Sequence, residues 1–319
     1  MTRLKSIYRI YGLMISLIIT TLNEQETVAR LLEAIAAQTR QPSELIIVDG
    51  GSTDNTQQLI KNFQASQPKL KLKLLSRSGS NISQGRNFAI SQAENELIAI
   101  TDAGCVPEPN WLEELEKAYL QTGKPVVAGY YTALPENNFQ QAVVPYVLVM
   151  PDKVNPNNFL PASRSMLLEK KIWEQLGGFP EHLEVSEDFA FANQLVKNQV
   201  PIAFAPQARV GWLPRQNLVQ FAKMIYRFAR DDIRAGLLRP KVGLIFIRYL
   251  VNLLILVWLW PDLVKLGLFA GAALSAYSWW AIAKNKRYVP DGWFWLPVLQ
   301  IISDLAVMSG TITGLVIKN

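Results

Sequence analysis

Apolar positions in the first hundred residues follow two alternating rhythms. Short unbroken runs at residues 15–19, 45–48 and 97–100 have the length and β-branched character of strands buried on both faces. Between them the spacing becomes helical. Val28, Leu31, Leu32 and Ile35 recur on one face, and Leu59, Ile60 and Phe63 do the same within 52–63. An alternating strand at 71–75 and a helix opening at 85–92 complete the series. Strands alternating with helices predict an α/β domain with a mostly parallel sheet. Ligands of such sheets sit outside the carboxyl ends of the strands. Asn23, Asp49 and Asp102 all stand at those ends.

The two extremes of the chain read differently. Arg3, Lys5 and Arg9 precede an apolar run at 10–22, as in a secretion signal. Asn23-Glu24-Gln25-Glu26 follows in place of a small-residue cleavage site, so the run is read as the first strand. At the other end come three apolar stretches, 243–260, 266–283 and 293–317. Only 9 of the 78 residues from 242 to 319 are charged, which makes this quarter a different material from the rest. The third stretch is long enough for a ~30 Å hydrocarbon core. Pro261-Asp262 turns the first two into a hairpin. Arg239 and Lys241 before the hairpin and Lys284, Lys286 and Arg287 after it belong on the cytoplasmic face. Two spans and then a third satisfy this, as does a re-entrant hairpin with one span; a buried soluble bundle is the ordinary alternative. The expected organisation is a cytosolic domain at 1–241, with halves at about 14–105 and 106–241, and a membrane region of two to three helices at 242–319.

Charge sharpens the picture. The formal net charge is +6. Eight Lys/Arg from Arg215 to Arg248, against Asp231 and Asp232, account for all of it. A basic belt directly before apolar segments suits an anionic membrane surface or phosphates, or is simply a solvated helix face. No nucleic-acid-binding motif accompanies it. One cysteine, Cys105, and one histidine, His182, exclude a disulfide framework, a zinc finger and any mechanism needing two histidines.

The strand ends carry recognisable pieces: ISLIITTLNEQETVARLLEAIAAQT, ELIIVDGGSTDNT, GRNFAI and LIAITDAGC. Taken alone, DGGSTD is a tight turn in which Ser52 or Asp54 can cap the next helix. Together, in this order and strand context, the pieces resemble the donor half of inverting family 2 glycosyltransferases. The resemblance covers roughly residues 14–240 and implies the A-type glycosyltransferase fold, a Rossmann-like mostly parallel sheet. It implies that Asp49 contacts the base of a nucleotide-sugar, with Thr21, Asn23 and Glu24 around base and ribose. Gly85, Arg86 and Asn87 would lie beside the diphosphate. Asp102 would stand where the family's DxD motif holds a divalent cation, Mg or Mn. Here the motif reads Asp102-Ala103-Gly104, so the second metal carboxylate is missing, and Gly50 replaces the Asp that commonly follows Asp49.

The stretch PASRSMLLEKKIWEQLGGFPEHLEVSEDFAFANQL resembles the acceptor half, which ends in a Glu-Asp motif. By that resemblance Asp188 is the base that deprotonates the acceptor hydroxyl and Glu187 its neighbour. An acidic pair at a helix N-terminus is the plain alternative. Arg164 and Ser165 are candidates for the acceptor pocket. Arg227, Arg230 and Arg234 share one helical face, suited to a leaving diphosphate or to lipid headgroups. The QxxRW motif of processive relatives is absent, which favours single additions.

The sequence thus predicts an inverting, hexosyltransferase-type enzyme of the cell membrane with a cytoplasmic catalytic domain. It would move one sugar from a nucleotide-sugar to a hydroxyl acceptor, lipid-linked or cell-envelope glycan. The alternatives are a nucleotidyltransferase, disfavoured because TTLNEQE is neither glycine-rich nor lysine-containing, and a degenerate nucleotide-sugar-binding membrane protein, suggested by DAG.

Overall fold

The computed structural model describes residues 13–317, so Arg3, Lys5 and Arg9 lie outside the described residues. The chain divides into two compact units, Met1–Thr132 with Lys153–Leu213, and Ala133–Asp152 with Pro214–Asn319.

The first unit is built on one eight-stranded sheet. Its parallel half runs β3 (Leu72–Ser76), β2 (Glu44–Asp49), β1 (Ile15–Thr21), β4 (Leu97–Ile100). Next to β4 lies β7 (Met166–Glu169), antiparallel, then β6 (Val126–Ala133), β8 (Ile202–Trp212) and β5 (Cys105–Pro107) at the edge. The sheet is therefore mixed. Strands β1, β2 and β4 are buried almost throughout, which is why they read as continuous apolar runs. Helix α1 (Val28–Ala36) buries Val28, Leu31, Leu32 and Ile35, each worth at most about 1.5–3 kcal/mol of burial. Helices α2 (Thr56–Ser66) and α3 (Ile82–Ser91) follow β2 and β3. Helix α4 (Trp111–Thr122) anchors its first turn through Trp111, whose indole N–H donates to Ser165 Oγ at 2.8 Å.

Two helices start later or earlier than their apolar spacing suggests, for local reasons. Helix α2 begins at Thr56, not Ser52, because residues 50–55 form a loop that folds back onto Asp49. Helix α3 begins at Ile82, ahead of Gly85, because Asn81 and Gln84 form a reciprocal capping box. Register places Thr21 opposite Asp49 and Asp49 opposite Ser76, so the carboxyl ends of the parallel strands form a row.

The second unit takes in α5 (Asn138–Val147), α8 (Leu218–Arg234) and three long apolar helices, α9 (Pro240–Leu259), α10 (Leu263–Asn285) and α11 (Leu296–Ile317). Between α5 and α8 the first unit contributes α6 (Lys170–Gln175) and α7 (Glu187–Lys197). Helices α9, α10 and α11 are each long and apolar enough to cross a membrane. The unit that carries them reaches back beyond the change in composition at residue 242, since it includes α5 and α8.

Candidate active site

At the carboxyl end of β2, Asp49 is fully buried and accepts five hydrogen bonds. Oδ1 takes the N–H groups of Gly51 (3.0 Å) and Ser52 (2.9 Å) and the Gln57 amide (2.7 Å). Oδ2 takes the hydroxyls of Ser52 (2.6 Å) and Thr21 (3.3 Å). Burial works against the charge, but these donors win and hold the carboxyl below its ordinary range. Gly51 makes the fold-back possible: its φ is +105°, and a Cβ there would press on Ser78. Asn23, itself at φ 55°, accepts from the Thr53 N–H (2.9 Å) and donates its own N–H to Ser52 Oγ (2.8 Å). Glu24 donates its N–H to Thr56 Oγ1 (2.8 Å). Thr21, Asn23, Glu24 and Asp49 are thus brought into one cradle. Asp49 spends its oxygens inside that cradle, so a nucleotide N–H reaches it only by displacing a resident donor. Ser52 therefore serves Asp49 and not a helix cap; Asp54 accepts from the Thr56 N–H (3.0 Å) instead.

Helix α3 carries Gly85, Arg86 and Asn87 at the same end of the sheet. Gly85 lets α3 close on β1, where a Cβ would stand 3.1 Å from Thr20 Cγ2. Arg86 is 1% exposed and reaches two carboxylates, Glu187 Oε1 at 2.6 Å and Asp102 Oδ1 at 3.1 Å. Its guanidinium also lies 4.9 Å over the Phe179 ring. Asn87 grips the loop after α6. It donates to the Phe179 carbonyl (2.8 Å) and Glu181 Oε1 (3.0 Å), and accepts from Trp173 Nε1 (2.9 Å) and the Phe179 N–H (2.8 Å). Gly178, at φ +80°, permits that approach; a Cβ there would fall 2.9 Å from Asn87 Oδ1. Asn87 therefore faces a loop of its own chain, not open space for a diphosphate.

The acidic pair stands in the first turn of α7. Ser186, just before it, has φ 60°, an unusual state for a residue with a side chain. This turn sends Glu187 inward to Arg86 and leaves Asp188 half-buried. Glu187 is pushed up to about 7 by burial and by the charges of Asp188 and Asp102, against the pull of Arg86. Asp188 Oδ2 accepts from the Ser163 N–H (3.2 Å) and, at 3.4 Å, from its hydroxyl. The same hydroxyl lies 3.1 Å from Asp102 Oδ2. One proton serves two carboxylates, so Ser163 couples Asp102 to Asp188. Ser163 and Ser186 were not among the candidates from sequence: a serine between two acids, or one forced to positive φ, leaves no trace in spacing. Arg164 lies between the Tyr131 and Trp212 rings (5.5 and 5.6 Å). Burial opposes its charge, but the surrounding Cys105, Asp188, Asp102 and Tyr131 together outweigh this and raise its pKa. Ser165 is buried, donating to the Ala208 carbonyl at 3.0 Å.

Arg227 and Arg230 belong to α8 in the second unit, where Arg227 is exposed and Arg230 donates to Asp231 at 2.7 Å. For a divalent cation, the ligand expected from the sequence is Asp102. It is a quarter exposed, and among the described residues no three His, Cys, Asp or Glu side chains converge as a ligand set. The residues fit a cation held by a single carboxylate, with diphosphate and water supplying the other positions.

The family model Glycosyl transferase family 2 matches residues 16–171. The chain is 24% identical over 230 residues to the glycosyltransferase AglE of Haloferax volcanii, covering 70% of this chain and 74% of that one. It is 27% identical over 210 residues to the O-antigen chain rhamnosyltransferase WbaN of Salmonella anatum, covering 59% and 63%. Among solved structures, the mannosyltransferase PcManGT of Pyrobaculum calidifontis, in complex with GDP-Man and Mn2+, superposes with a TM-score of 0.58 at 19% identity, over 92% of this chain and 86% of that one. The mixed sheet is thus GT-A-like, and over residues 16–171 the chain carries a glycosyl transferase family 2 domain.

Proposed function

We propose that the chain transfers a single sugar from a nucleotide-sugar to a hydroxyl acceptor with inversion, at a membrane surface, the acceptor being lipid-borne or a cell-envelope glycan. The observation that carries this reading is the connected set Asp188–Ser163–Asp102–Arg86–Glu187. It joins a carboxylate at the end of a parallel strand, where donors bind in such sheets, to a carboxylate suited to an acceptor. The donor's base and ribose would rest on the cradle of Thr21, Asn23, Glu24 and Asp49, with the diphosphate toward Gly85, Arg86 and Asp102. PcManGT is in complex with GDP-Man, which makes nucleotide-sugars the donors to test first.

In the transfer, the acceptor oxygen attacks the anomeric carbon as the bond to the diphosphate oxygen breaks. The acceptor proton passes to Asp188, and the electron pair leaves with the diphosphate. The Ser163 N–H orients Asp188 for this. Arg86, fixed by Glu187, offers buried positive charge beside Asp102, and a divalent cation on Asp102 would add charge neutralisation for the diphosphate. Asp188→Asn tests the assignment: turnover should fall by roughly 10²–10⁴ while donor binding persists. Loss of donor binding in that variant would make Asp188 a structural residue of the cleft. A wild-type protein that binds donors without turnover would favour the degenerate reading suggested by DAG.

A further inference from the structure

Helix α11 is apolar enough to cross a membrane, yet its neighbours argue against a crossing. A third of its most apolar stretch is buried against the protein, compared with none for α9. The covering element is α8. At Gly310 a Cβ would collide with the Tyr226 carbonyl, and at Gly314 it would stand 2.6 Å from the Arg230 carbonyl and 2.9 Å from Ile233 Cβ. The last third of α11 therefore lies against residues 226–233 of α8. The start of α11 lies beside the start of α8 by way of α5: Tyr146 donates to the Leu296 carbonyl at 2.9 Å, and its ring meets Phe221 at 5.9 Å. Helix α8 thus packs directly on the last third of α11 and is linked to its start through Tyr146.

That companion is unsuited to hydrocarbon. Within 223–234 it carries Lys223, Arg227, Arg230, Asp231, Asp232 and Arg234. Asp231 and Asp232 are buried and held by Arg230, Arg234 and Arg239 at 2.5–3.4 Å, and Lys223 and Arg227 are exposed. A crossing of 22 residues would carry these charges through the bilayer core. The buried Asp304 midway along α11, bonded to Arg248 (2.6 Å) and Gln300 (3.0 Å), would sit there too.

We propose that α8 and α11 lie together in the plane of an anionic lipid surface. Helix α11 turns its exposed Leu305, Ile312 and Leu315 to the acyl chains, and α8 offers Lys223 and Arg227 to the headgroups. The α9–α10 hairpin alone dips into the bilayer, and the Asp304–Arg248 pair stays at headgroup depth. A hairpin returns to the side it left, so residues 214–217 and the end of α11 at Ile317 lie on the same side of the membrane. With three crossings they emerge on opposite sides. This inference rests on the membrane placement proposed above and not on the transfer chemistry.

The full chain with Cys105→Ser is given one new cysteine, either Gln216→Cys or a residue appended after Asn319, and examined in sealed vesicles of known orientation. A membrane-impermeant maleimide should label both positions in the same vesicle orientation, and both in detergent. Labelling in opposite orientations would overturn the proposal, as would failure of the chain to float with phosphatidylglycerol vesicles. If Gln216→Cys does not accumulate, protease added to inside-out vesicles gives the same answer. A tag after Asn319 should be lost together with the first unit; its survival would contradict the in-plane arrangement. Donor binding, measured separately, is unaffected by either outcome.

Discussion

Glu187 sets burial against an ion pair, and burial wins. The carboxyl is 5% exposed and 2.6 Å from Arg86, yet burial and two neighbouring carboxylates push it from 4.5 to about 7. The unfolded chain then releases this proton first. Between pH 4.5 and 7 the folded state binds more protons, so stability falls as pH rises across that window. A displacement of that size corresponds to about 3 kcal/mol. Glu187→Gln keeps an acceptor for Arg86 and cannot ionise, so it should remove the loss. The variant and the parent should have similar thermal midpoints near pH 4.5. The variant should gain steadily to pH 7, by about 6–12 °C at 2–4 °C per kcal/mol for a chain of this order of size. Tryptophan-monitored melting in detergent, from pH 4.5 to 8, reads this directly. Parallel curves would refute the reasoning and mean that Arg86 keeps the pair ionised throughout. In turnover, the parent should lose activity on the acid side of about pH 7, as Arg86 loses its charged partner.

Asn87→Ala removes four hydrogen bonds and strands the Trp173 N–H and Phe179 backbone, so the variant should lose about 1–3 kcal/mol and gain amide exchange across residues 177–182, read by mass spectrometry. Burial works against the charge of Glu44, but bonds from Ser16, Lys73 and the Glu94 N–H hold its carboxyl below 4.5. That stability is present above the unfolded value and is lost as pH falls through the folded one. Glu44→Gln should therefore flatten the acid side of the stability curve, and an unchanged acid limb would contradict the assignment. Asp102→Asn should weaken donor binding, and any dependence of binding on added Mn2+ should disappear with it; donor affinity by calorimetry with and without chelator checks both.

The parallel half of the fold was legible because β1, β2 and β4 are buried on both faces and announce themselves as apolar runs. The antiparallel half was not. Strand β8 alternates buried and exposed positions irregularly, and β5 has three residues, too few for a period. At the site, spacing placed Asp49, Asp102, Glu187 and Asp188 at strand and helix ends. It did not reveal that Asp49 turns inward to its own loop, nor that Asn87 clamps residues 177–181, because both depend on where hydrogen bonds go after folding. Ser163 escaped for the same reason. The packing of α11 against α8 was likewise beyond reach, since hydropathy measures a helix alone and not the charged companion packed against it.

The most direct test is sugar transfer by detergent-purified full-length protein, after UDP-, GDP- and dTDP-sugars have been ranked by the thermal protection they confer. At least one nucleotide-sugar should protect the parent protein and support transfer to a lipid-linked hydroxyl acceptor. Asp102→Asn should lose the protection, and Asp188→Asn should keep it while turnover drops at least a hundredfold. If no nucleotide-sugar binds, or if Asp188→Asn transfers sugar at the parent rate, the account is contradicted.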